Sequence, residues 1–348
     1  METDPAAEGL TGPGGGRSRG PRGIASIVLD QDVPPLDFVF LGLPGASMLA
    51  FTSAIEPLRI LNQLAGRPIA NWRVVTTDGD PLTFSCGLSL LADGVAGDLS
   101  RNDRLFVCSG AEPERSLSTR AVAMARRAWR HGHEVGGICT GAYTLAEAGI
   151  LEGRRFTLHW ENTEAFELTY PHLRSTRQLF ARDDKILTCA GGTAATDMML
   201  SILRDHCGAL AANLVMDMCL HPAMRAPEEA QKTSLAFTLG VRNERFLALL
   251  QDMEDSDNWF FTMDALSERH AMSRRQIERL FKKYTGCSPQ NYARYRRLDY
   301  ARLQLATTNL AIQDIATACG FESAGVFSRN FKKRFGITPF AYSMKRGI

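Results

Sequence analysis

The hydrophobic pattern of the chain changes once, near residue 221. Between 35 and 221, short apolar runs alternate with segments whose apolar residues recur every three to four positions, as when DFVFLGL (37–43) precedes SMLAFTSAIEPLRILNQL (47–64). Such short runs are typical of strands buried on both faces, and the longer period indicates amphipathic helices. Strands that alternate with helices predict an α/β domain over 35–221, with a mainly parallel sheet covered by helices.

The segments outside this domain have different compositions. Residues 1–33 are rich in glycine, proline and arginine and offer little to bury, so they predict a disordered tail. Residues 222–242 begin with a polar stretch that holds two prolines, which predicts a linker. From 243 to 346 the strand signals stop, and helical periodicity predicts an all-α C-terminal domain.

Composition argues against membrane and disulfide-stabilised classes. The hydrophobic fraction of 45% and the charged fraction of 22% are ordinary for globular proteins. No apolar run approaches the roughly 20 residues of a membrane span, and the start of the chain lacks a secretory pattern. Eight cysteines without a CxxC pair favour reduced thiols and a cytoplasmic location. HGHE (131–134) lacks a third ligand at metal spacing, so neither a metal nor a cofactor is predicted.

Charge is distributed unevenly along the chain. From Ala265 to Ile348 there are 16 Lys and Arg residues against 5 Asp and Glu, whereas the upstream residues hold 24 against 33. A basic block on an acidic body indicates a polyanion such as DNA as the partner of that block. A solvated basic face without a partner is the alternative that charge alone leaves open.

An internal repeat occupies the C-terminal domain. RRQIERLFKKYTGCSPQNY (274–292) matches AGVFSRNFKKRFGITPFAY (324–342) at an offset of 50 residues. A short helical segment and a turn precede each copy, and these segments are one residue out of register, as a longer second turn would require. The pattern predicts two helix-turn-helix units joined by a long helix, which could place them about one DNA turn (~34–36 Å) apart.

The second helix of each unit has the composition of a recognition helix. Such a helix enters the major groove by its N-terminal residues, and lysines further along it suit phosphates. We expect base contacts from Arg274, Arg275, Gln276, Ser323 and Arg329. The full predicted DNA-binding set is Ser273, Arg274, Arg275, Gln276, Arg279, Lys282, Lys283, Ser323, Ala324, Ser328, Arg329, Lys332 and Lys333.

These residues carry a resemblance to a known family. Residues 243–346 resemble the double helix-turn-helix domain of the AraC/XylS family of transcription regulators, and GFESAGVFSRNFKKRFGITPFAY (320–342) is close to its C-terminal signature. The resemblance implies a transcription regulator that binds a promoter half-site on double-stranded DNA, with activation expected. It also implies RNA polymerase and a small-molecule inducer as partners, and we expect the N-terminal domain to form a homodimer.

The stretch GGICTGAYTLAEAGIL (136–151) has the pattern of a nucleophile elbow. An apolar strand leads to a sharp turn that presents one reactive side chain, here Cys139, and a helix follows. A helix behind the turn would lower the pKa of the thiol. A nucleophile also needs a base, for which His159 in FTLHW is the candidate, and backbone amides near Ala111 and Thr140 could form an oxyanion site.

The upstream domain also resembles a known family. LPGASMLAFTSAIEPLRILNQL (43–64), GGICTGAYTLAEAGILEGRRFTLHW (136–160) and LTCAGGTAATDMMLSIL (187–203) are similar to the class I glutamine amidotransferase-like, or PfpI-type, domain. This resemblance implies a flavodoxin-like fold. The whole chain is similar to the GlxA-like subgroup of AraC regulators, which includes regulators that respond to carnitine, glycine betaine or arginine.

The catalytic constellation of that family is incomplete in this chain. Ala50 stands where the resemblance places a glutamate, and Glu56 lies about two turns further on, at a surface or ion-paired position. We therefore predict no catalytic residue and interpret Cys139 and His159 as vestigial. The alternatives are a Cys139-dependent amidase or hydrolase, a thiol redox sensor and an ordinary buried thiol.

The same elements suit a small ligand. Exposed amides favour a carboxylate, and aromatic faces favour a cation, so the expected ligand is a quaternary amine or amino-acid zwitterion. Phe51, Trp72 and Tyr143 are either further aromatic contacts or core residues. The predicted ligand-binding residues are Ser47, Met48, Ala111, Cys139, Thr140, His159 and Trp160.

Overall fold

The computed structural model describes residues 25–30, 32–231, 243–254, 261–308 and 310–344. The predicted disordered tail over 1–24 lies outside the described residues. The chain divides into two units, Met1–Gln231 and Lys232–Ile348. No helix in the described part of the chain has the length and apolar character needed to cross a membrane.

A twisted sheet forms the centre of the first unit. Its strands are β1 (Leu36–Gly42), β2 (Ala70–Thr76), β5 (Gly94–Val95), β6 (Asp103–Cys108), β7 (Val135–Ile138), β8 (Phe180–Asp183) and β9 (Ile186–Cys189), and β3 (Leu82–Thr83) with β4 (Ser89–Leu90) forms a separate hairpin. Within the described residues the sheet has seven strands in the order β5-β2-β1-β6-β7-β9-β8. All pairs are parallel except β8 with β9, which confirms the predicted mainly parallel sheet.

Helices cover both faces of this sheet. They are α1 (Met48–Ala65), α2 (Pro113–Ser116), α3 (Thr119–Arg130), α4 (Ala142–Glu147), α5 (Thr163–Thr169), α6 (Ala194–Cys207) and α7 (Ala209–Met218), with a 3-10 turn over Trp160–Asn162. Successive residues of β1 enter opposite cores: Phe38 and Phe40 pack on the side of α1, α6 and α7, and Val39 and Leu41 on the side of α3 and α4. Burial on both faces explains why this strand is a continuous apolar run.

The first unit extends beyond both of its predicted bounds. Ile27 and Val33, in the predicted disordered tail, pack against the core, and the Ile27 amide donates to the Leu64 carbonyl (2.9 Å). The predicted linker began at 222, but the chain up to Gln231 belongs to this unit. The prediction was wrong for this segment because its polar residues bond to the domain rather than to water.

The second unit is helical in its described parts, as predicted. Its helices are α8 (Glu244–Glu254), α9 (Met263–Arg269), α10 (Arg274–Thr285), α11 (Pro289–Thr307), α12 (Ile312–Ala318), α13 (Ala324–Phe335) and α14 (Pro339–Met344). Helices α9 and α10 form one helix-turn-helix unit, and α12 and α13 form the other. The second helices are offset by 50 residues and the first helices by 49, because the second turn is one residue longer, as the repeat predicted.

The two units of this domain are capped at equivalent positions. Ser273 and Ser323 are the N-caps of α10 and α13, and each serine oxygen accepts from a backbone amide three residues on. Gly286 and Gly336 end these helices with φ of 75° and 77°, a left-handed conformation that glycine adopts without strain.

Helix α11 contributes to the core of both helix-turn-helix units. Its Ala293 packs with Ile277 and Phe281 of α10, and its Leu298 packs with Phe327 and Phe331 of α13. One helix of this length spans about 28 Å at 1.5 Å per residue. The arrangement therefore fixes α10 and α13 to a common support.

Candidate functional site

Cys139 lies on a strained turn between β7 and α4. Its backbone has φ of 60°, an uncommon conformation for a residue other than glycine, and its side chain is 8% exposed. The Cys139 amide donates to the Cys189 carbonyl at the end of β9 (3.0 Å). The strand, turn and helix predicted from the sequence are confirmed.

Residues without side chains surround this turn. A Cβ on Gly191 would lie 2.8 Å from the Cβ of Cys139, and a Cβ on Gly110 would lie 1.9 Å from the Gly45 carbonyl oxygen. The loop after β9 therefore lies directly against Cys139, and the loops after β1 and β6 approach each other backbone to backbone.

Four of the predicted ligand residues follow the carboxyl ends of parallel strands. Ser47 caps α1 after β1, Ala111 follows β6, and Cys139 and Thr140 follow β7. The Ser47 amide donates to the Ser109 carbonyl (3.3 Å), and the Thr140 hydroxyl donates to the Gly110 carbonyl. Ligands of open α/β sheets bind at this edge, where strand order reverses.

The environment of the Cys139 sulfur disfavours the thiolate. Burial raises the pKa of Cys139 to about 11, hydrogen bonds from Thr140 lower it in part, and the charge of Glu161 raises it further. The expectation that a following helix lowers this pKa is therefore wrong. Helix α4 has 6 residues, and desolvation outweighs the hydrogen-bond donors at its start.

His159 is joined to the cysteine through the backbone. Its amide donates to the Cys139 carbonyl (3.4 Å), and its Nδ1 accepts from the Glu161 amide (3.4 Å). Among the described residues, the His159 ring makes no hydrogen bond with the Cys139 sulfur. Burial lowers the pKa of His159, although the Glu161 charge opposes this shift. Burial thus favours the neutral imidazole, and the ring is not oriented as a base for the thiol.

The position expected for a catalytic carboxylate is apolar. Ala50 is 1% exposed and belongs to the same core cluster as Cys139. Glu56 forms a surface ion pair with Arg59 (2.7 Å), as predicted. The acidic residue whose charge reaches Cys139 is Glu161, which the sequence analysis did not single out, and its effect is to oppose ionisation of the thiol.

The aromatic candidates separate into two groups. Trp160 is 43% exposed and its ring lies 5.5 Å from that of His159. Phe51 and Tyr143 are buried in the cores, and Trp72 is a partly buried residue at the edge of one. Trp160 is thus the predicted aromatic contact that keeps a solvent-accessible face.

Two further contacts involve predicted ligand residues, Met48 and Ala111. The Met48 sulfur accepts from the Cys86 thiol (3.6 Å). The Asn162 side chain donates to the Ala111 carbonyl (3.5 Å) and so joins the loop after β6 to the 3-10 turn that carries Trp160. Sequence patterns gave no signal for Asn162, because its role depends on a contact 51 residues away.

We expect Cys139 to react slowly with iodoacetamide in the native protein. Because the reacting species is the thiolate and burial holds this pKa high, alkylation at pH 8 should be about tenfold slower, or more, than at exposed Cys86. Mass spectrometry of tryptic peptides measures both rates, and a Cys86→Ser variant removes the competing site. Equal rates would contradict the buried-thiol geometry and restore the redox-sensor alternative.

The predicted DNA-binding residues form an exposed basic surface on α10 and α13. Eleven of the thirteen are exposed, and Ala324 and Ser328 are half-buried. The Lys282 ammonium donates to the Gly286 carbonyl (3.3 Å), and that of Lys283 lies 4.8 Å from the Tyr284 ring centroid. Both lysines lie in the C-terminal part of α10 and contact neighbouring residues of the same segment. Their role as phosphate contacts stays a prediction.

The polar residues at the start of α10 differ in whether their side chains already have partners within the protein. Arg274 is paired with Asp264 of α9 (2.8 Å), and Gln276 accepts from the Ser273 amide (2.8 Å) in a capping box. With the described residues, Arg275 and Arg279 form no ion pair. Arg275 and Arg279 are therefore exposed arginines of α10 without an ion pair to a described residue.

Both units of the chain match known protein families. Residues 266–345 match the helix-turn-helix domain model, and residues 50–205 match the DJ-1/PfpI family. Similar relatives include the HTH-type transcriptional regulators CdhR and GbdR of Pseudomonas aeruginosa and GlxA of Rhizobium meliloti. CdhR is 40% identical over 87% of this chain and 90% of its own length. GbdR is 34% identical over 89% of this chain and 84% of its own length. GlxA is 35% identical over 88% of this chain and 95% of its own length.

The chain therefore belongs to the family of transcriptional regulators that join a DJ-1/PfpI domain to an AraC-type helix-turn-helix domain. It is a transcriptional regulator with a DNA-binding helix-turn-helix domain.

Proposed function

We propose that this regulator is a cytoplasmic activator that binds promoter DNA as a homodimer, engages RNA polymerase and responds to a small zwitterion held at the Cys139 turn. The observation that carries the DNA-binding part is the pair of helices capped at equivalent positions, α10 and α13, whose exposed faces hold most of the predicted contacts. The residues proposed to contact bases remain Arg274, Arg275, Gln276, Ser323 and Arg329.

The chemistry around Cys139 supports a ligand with both charges. The Trp160 face and the Glu161 carboxylate are suited to an ammonium group, since cations bind both aromatic faces and anions. Backbone donors in the loops after the parallel strands are suited to a carboxylate. A quaternary amine or an amino acid carries both groups, and a neutral thiol at Cys139 is compatible with either.

A thermal-shift screen of the full chain tests the ligand proposal. The panel holds carnitine, glycine betaine, dimethylglycine, choline, arginine and other amino acids. A compound that binds only the folded protein stabilises it by about 2.7 kcal/mol at 100 times its Kd. Stabilisation should be reduced in Trp160→Ala and retained in Leu210→Ala, which alters an exposed residue of α7. No shift with any compound would refute the zwitterion proposal and leave DNA binding standing.

We expect Arg275→Ala to weaken binding to a selected operator by about 1–3 kcal/mol and to relax specificity at one base pair. The side chain is exposed at the start of α10, where a recognition helix meets base edges. Fluorescence anisotropy with operator and random duplexes measures both affinities. Lys282→Ala is the matched comparison, since loss of a phosphate contact weakens both duplexes alike. An equal loss on both duplexes for Arg275→Ala would contradict base reading.

A further inference from the structure

The segment His221–Gln231, here called the strap, is the last described part of the first unit before the chain continues to the DNA-binding unit. It has no helix and no regular strand, yet it is fixed along its length. The Leu179 amide donates to the Pro227 carbonyl (3.0 Å), and Ala230 forms an antiparallel bridge with Gln178. The strap thus runs beside the residues that lead into the edge strand β8.

The first end of the strap is held by a buried carboxylate. Asp197 of α6 is 0% exposed and accepts from the His221 ring (2.9 Å) and from the Arg225 backbone amide (2.8 Å). The Arg225 guanidinium donates twice to the other oxygen of Asp197 and once to the Thr193 hydroxyl (2.8 Å). Charge-assisted bonds to a carboxylate without solvent make this end the firm anchor.

The second end of the strap is held by the side-chain amide of Gln231. The two hydrogens of its nitrogen are shared among the Leu158 carbonyl (2.9 Å), the Gln178 carbonyl (2.8 Å) and the Thr157 hydroxyl (3.0 Å), and its oxygen accepts from the Trp160 amide (2.8 Å). These neutral bonds hold the residues on both sides of His159. The amide of His159 is itself bonded to the Cys139 carbonyl.

Both ends of the strap are therefore attached to elements that surround Cys139. Thr193, bonded to Arg225, is two positions from Gly191, which lies against the cysteine side chain. Leu158 and Trp160, which are bonded to Gln231, flank His159 in the chain. A ligand that contacts Trp160 or His159 must act on the loop that Gln231 holds.

Release of Gln231 would also change the reach of the DNA-binding unit. With Gln231 fixed, the chain between it and Asn243 can span at most about 40 Å. If the strap is held only at Arg225, the same limit becomes about 60 Å. Gln231, the weaker anchor, is bonded to the residues on both sides of His159. The Arg225–Asp197 pair, the firmer anchor, comes earlier in the strap.

We propose that the strap is the coupling element of this regulator and that Gln231 is its positioning residue. Occupation of the Cys139 site shifts the Thr157–Trp160 loop and so makes or breaks the bonds of Gln231. The length of chain available to the DNA-binding unit changes as a result. This inference rests on the proposed ligand site, but its central contact exists without a ligand. It can therefore be tested separately.

The test compares the full-length variants Gln231→Leu and Gln231→Glu with wild type. Leucine removes all four bonds, and glutamate keeps an acceptor for the Trp160 amide but places an anion against the Leu158 and Gln178 carbonyl oxygens. Gln63→Leu is the control, since Gln63 accepts one bond from Arg59 on the surface of α1 (2.9 Å). Hydrogen exchange of the 221–231 peptide reports the state of the strap, and operator affinity is measured alone and with glycine betaine, carnitine or arginine.

We expect both Gln231 variants to speed exchange of the strap and to change operator affinity without added compound by about tenfold, the usual size of coupling between sites. Any response of wild type to a probe should be lost in these variants while the probe still shifts the melting temperature. Operator affinity and response within about twofold of wild type, as expected for Gln63→Leu, would overturn the inference. If no probe acts on wild type, the ligand proposal fails, and operator affinity without added compound alone decides the role of the strap.

Discussion

Asp197→Ala is expected to lower the free energy of unfolding of the first unit by about 3 kcal/mol, because it leaves His221 and Arg225 without the buried carboxylate that both contact. Loss of one partner of a buried ion pair costs about 3–5 kcal/mol. The lower end applies here, since the Arg225 side chain is 32% exposed and can turn toward water, whereas Asp197 has no exposure. Hydrogen exchange of peptides from β6 and β7 gives the free energy for this unit alone.

Asp205→Ala is the matched control for this measurement. Asp205 also lies on α6 and pairs with Arg182 (2.7 Å), but its side chain is 51% exposed. Exposed pairs contribute less than about 1 kcal/mol. A loss at Asp197 no larger than the loss at Asp205 would show that the strap is not anchored through this carboxylate.

Local patterns predicted the elements that depend on neighbouring residues. The repeat at 50 residues predicted helices α10 and α13, and the structure adds that Ser273 and Ser323 cap them and that Gly286 and Gly336 end them. Capping needs only residues within three or four positions, so sequence alone carries it. The strand, turn and helix around Cys139 were predictable for the same reason.

Contacts between distant positions were not predictable from one chain. The strap was interpreted as linker because its composition is polar, but Arg225 meets Asp197 across 28 residues and Gln231 meets the Trp160 amide across 71. Composition cannot tell a polar segment that bonds to protein from one that bonds to water. The pKa of Cys139 was misjudged likewise, since burial dominates it and a distant residue, Gly191 of the loop after β9, lies against its side chain.

Gly141→Ala is expected to destabilise the first unit by about 3 kcal/mol through overpacking. Gly141 has φ of −55° and ψ of −20°, a helical conformation that alanine adopts readily, so backbone strain is not the cause. The cause is space: a Cβ there would lie 2.1 Å from the carbonyl oxygen of Val107 and 3.0 Å from the amide nitrogen of Ile138. Because both atoms belong to the backbone of central strands, neither can move without disturbing the sheet.

The matched control is Gly94→Ala in β5, where a new Cβ would meet nothing within 4 Å. Its free energy of unfolding, measured by the same exchange experiment, should change by no more than about 0.5 kcal/mol. Similar stability for the two variants would contradict the close approach of the elbow to β6. A larger effect at Gly141 would explain why a glycine stands two residues after Cys139. This glycine lets α4 begin against the sheet, and that contact sets the direction in which the Cys139 turn faces the strand ends.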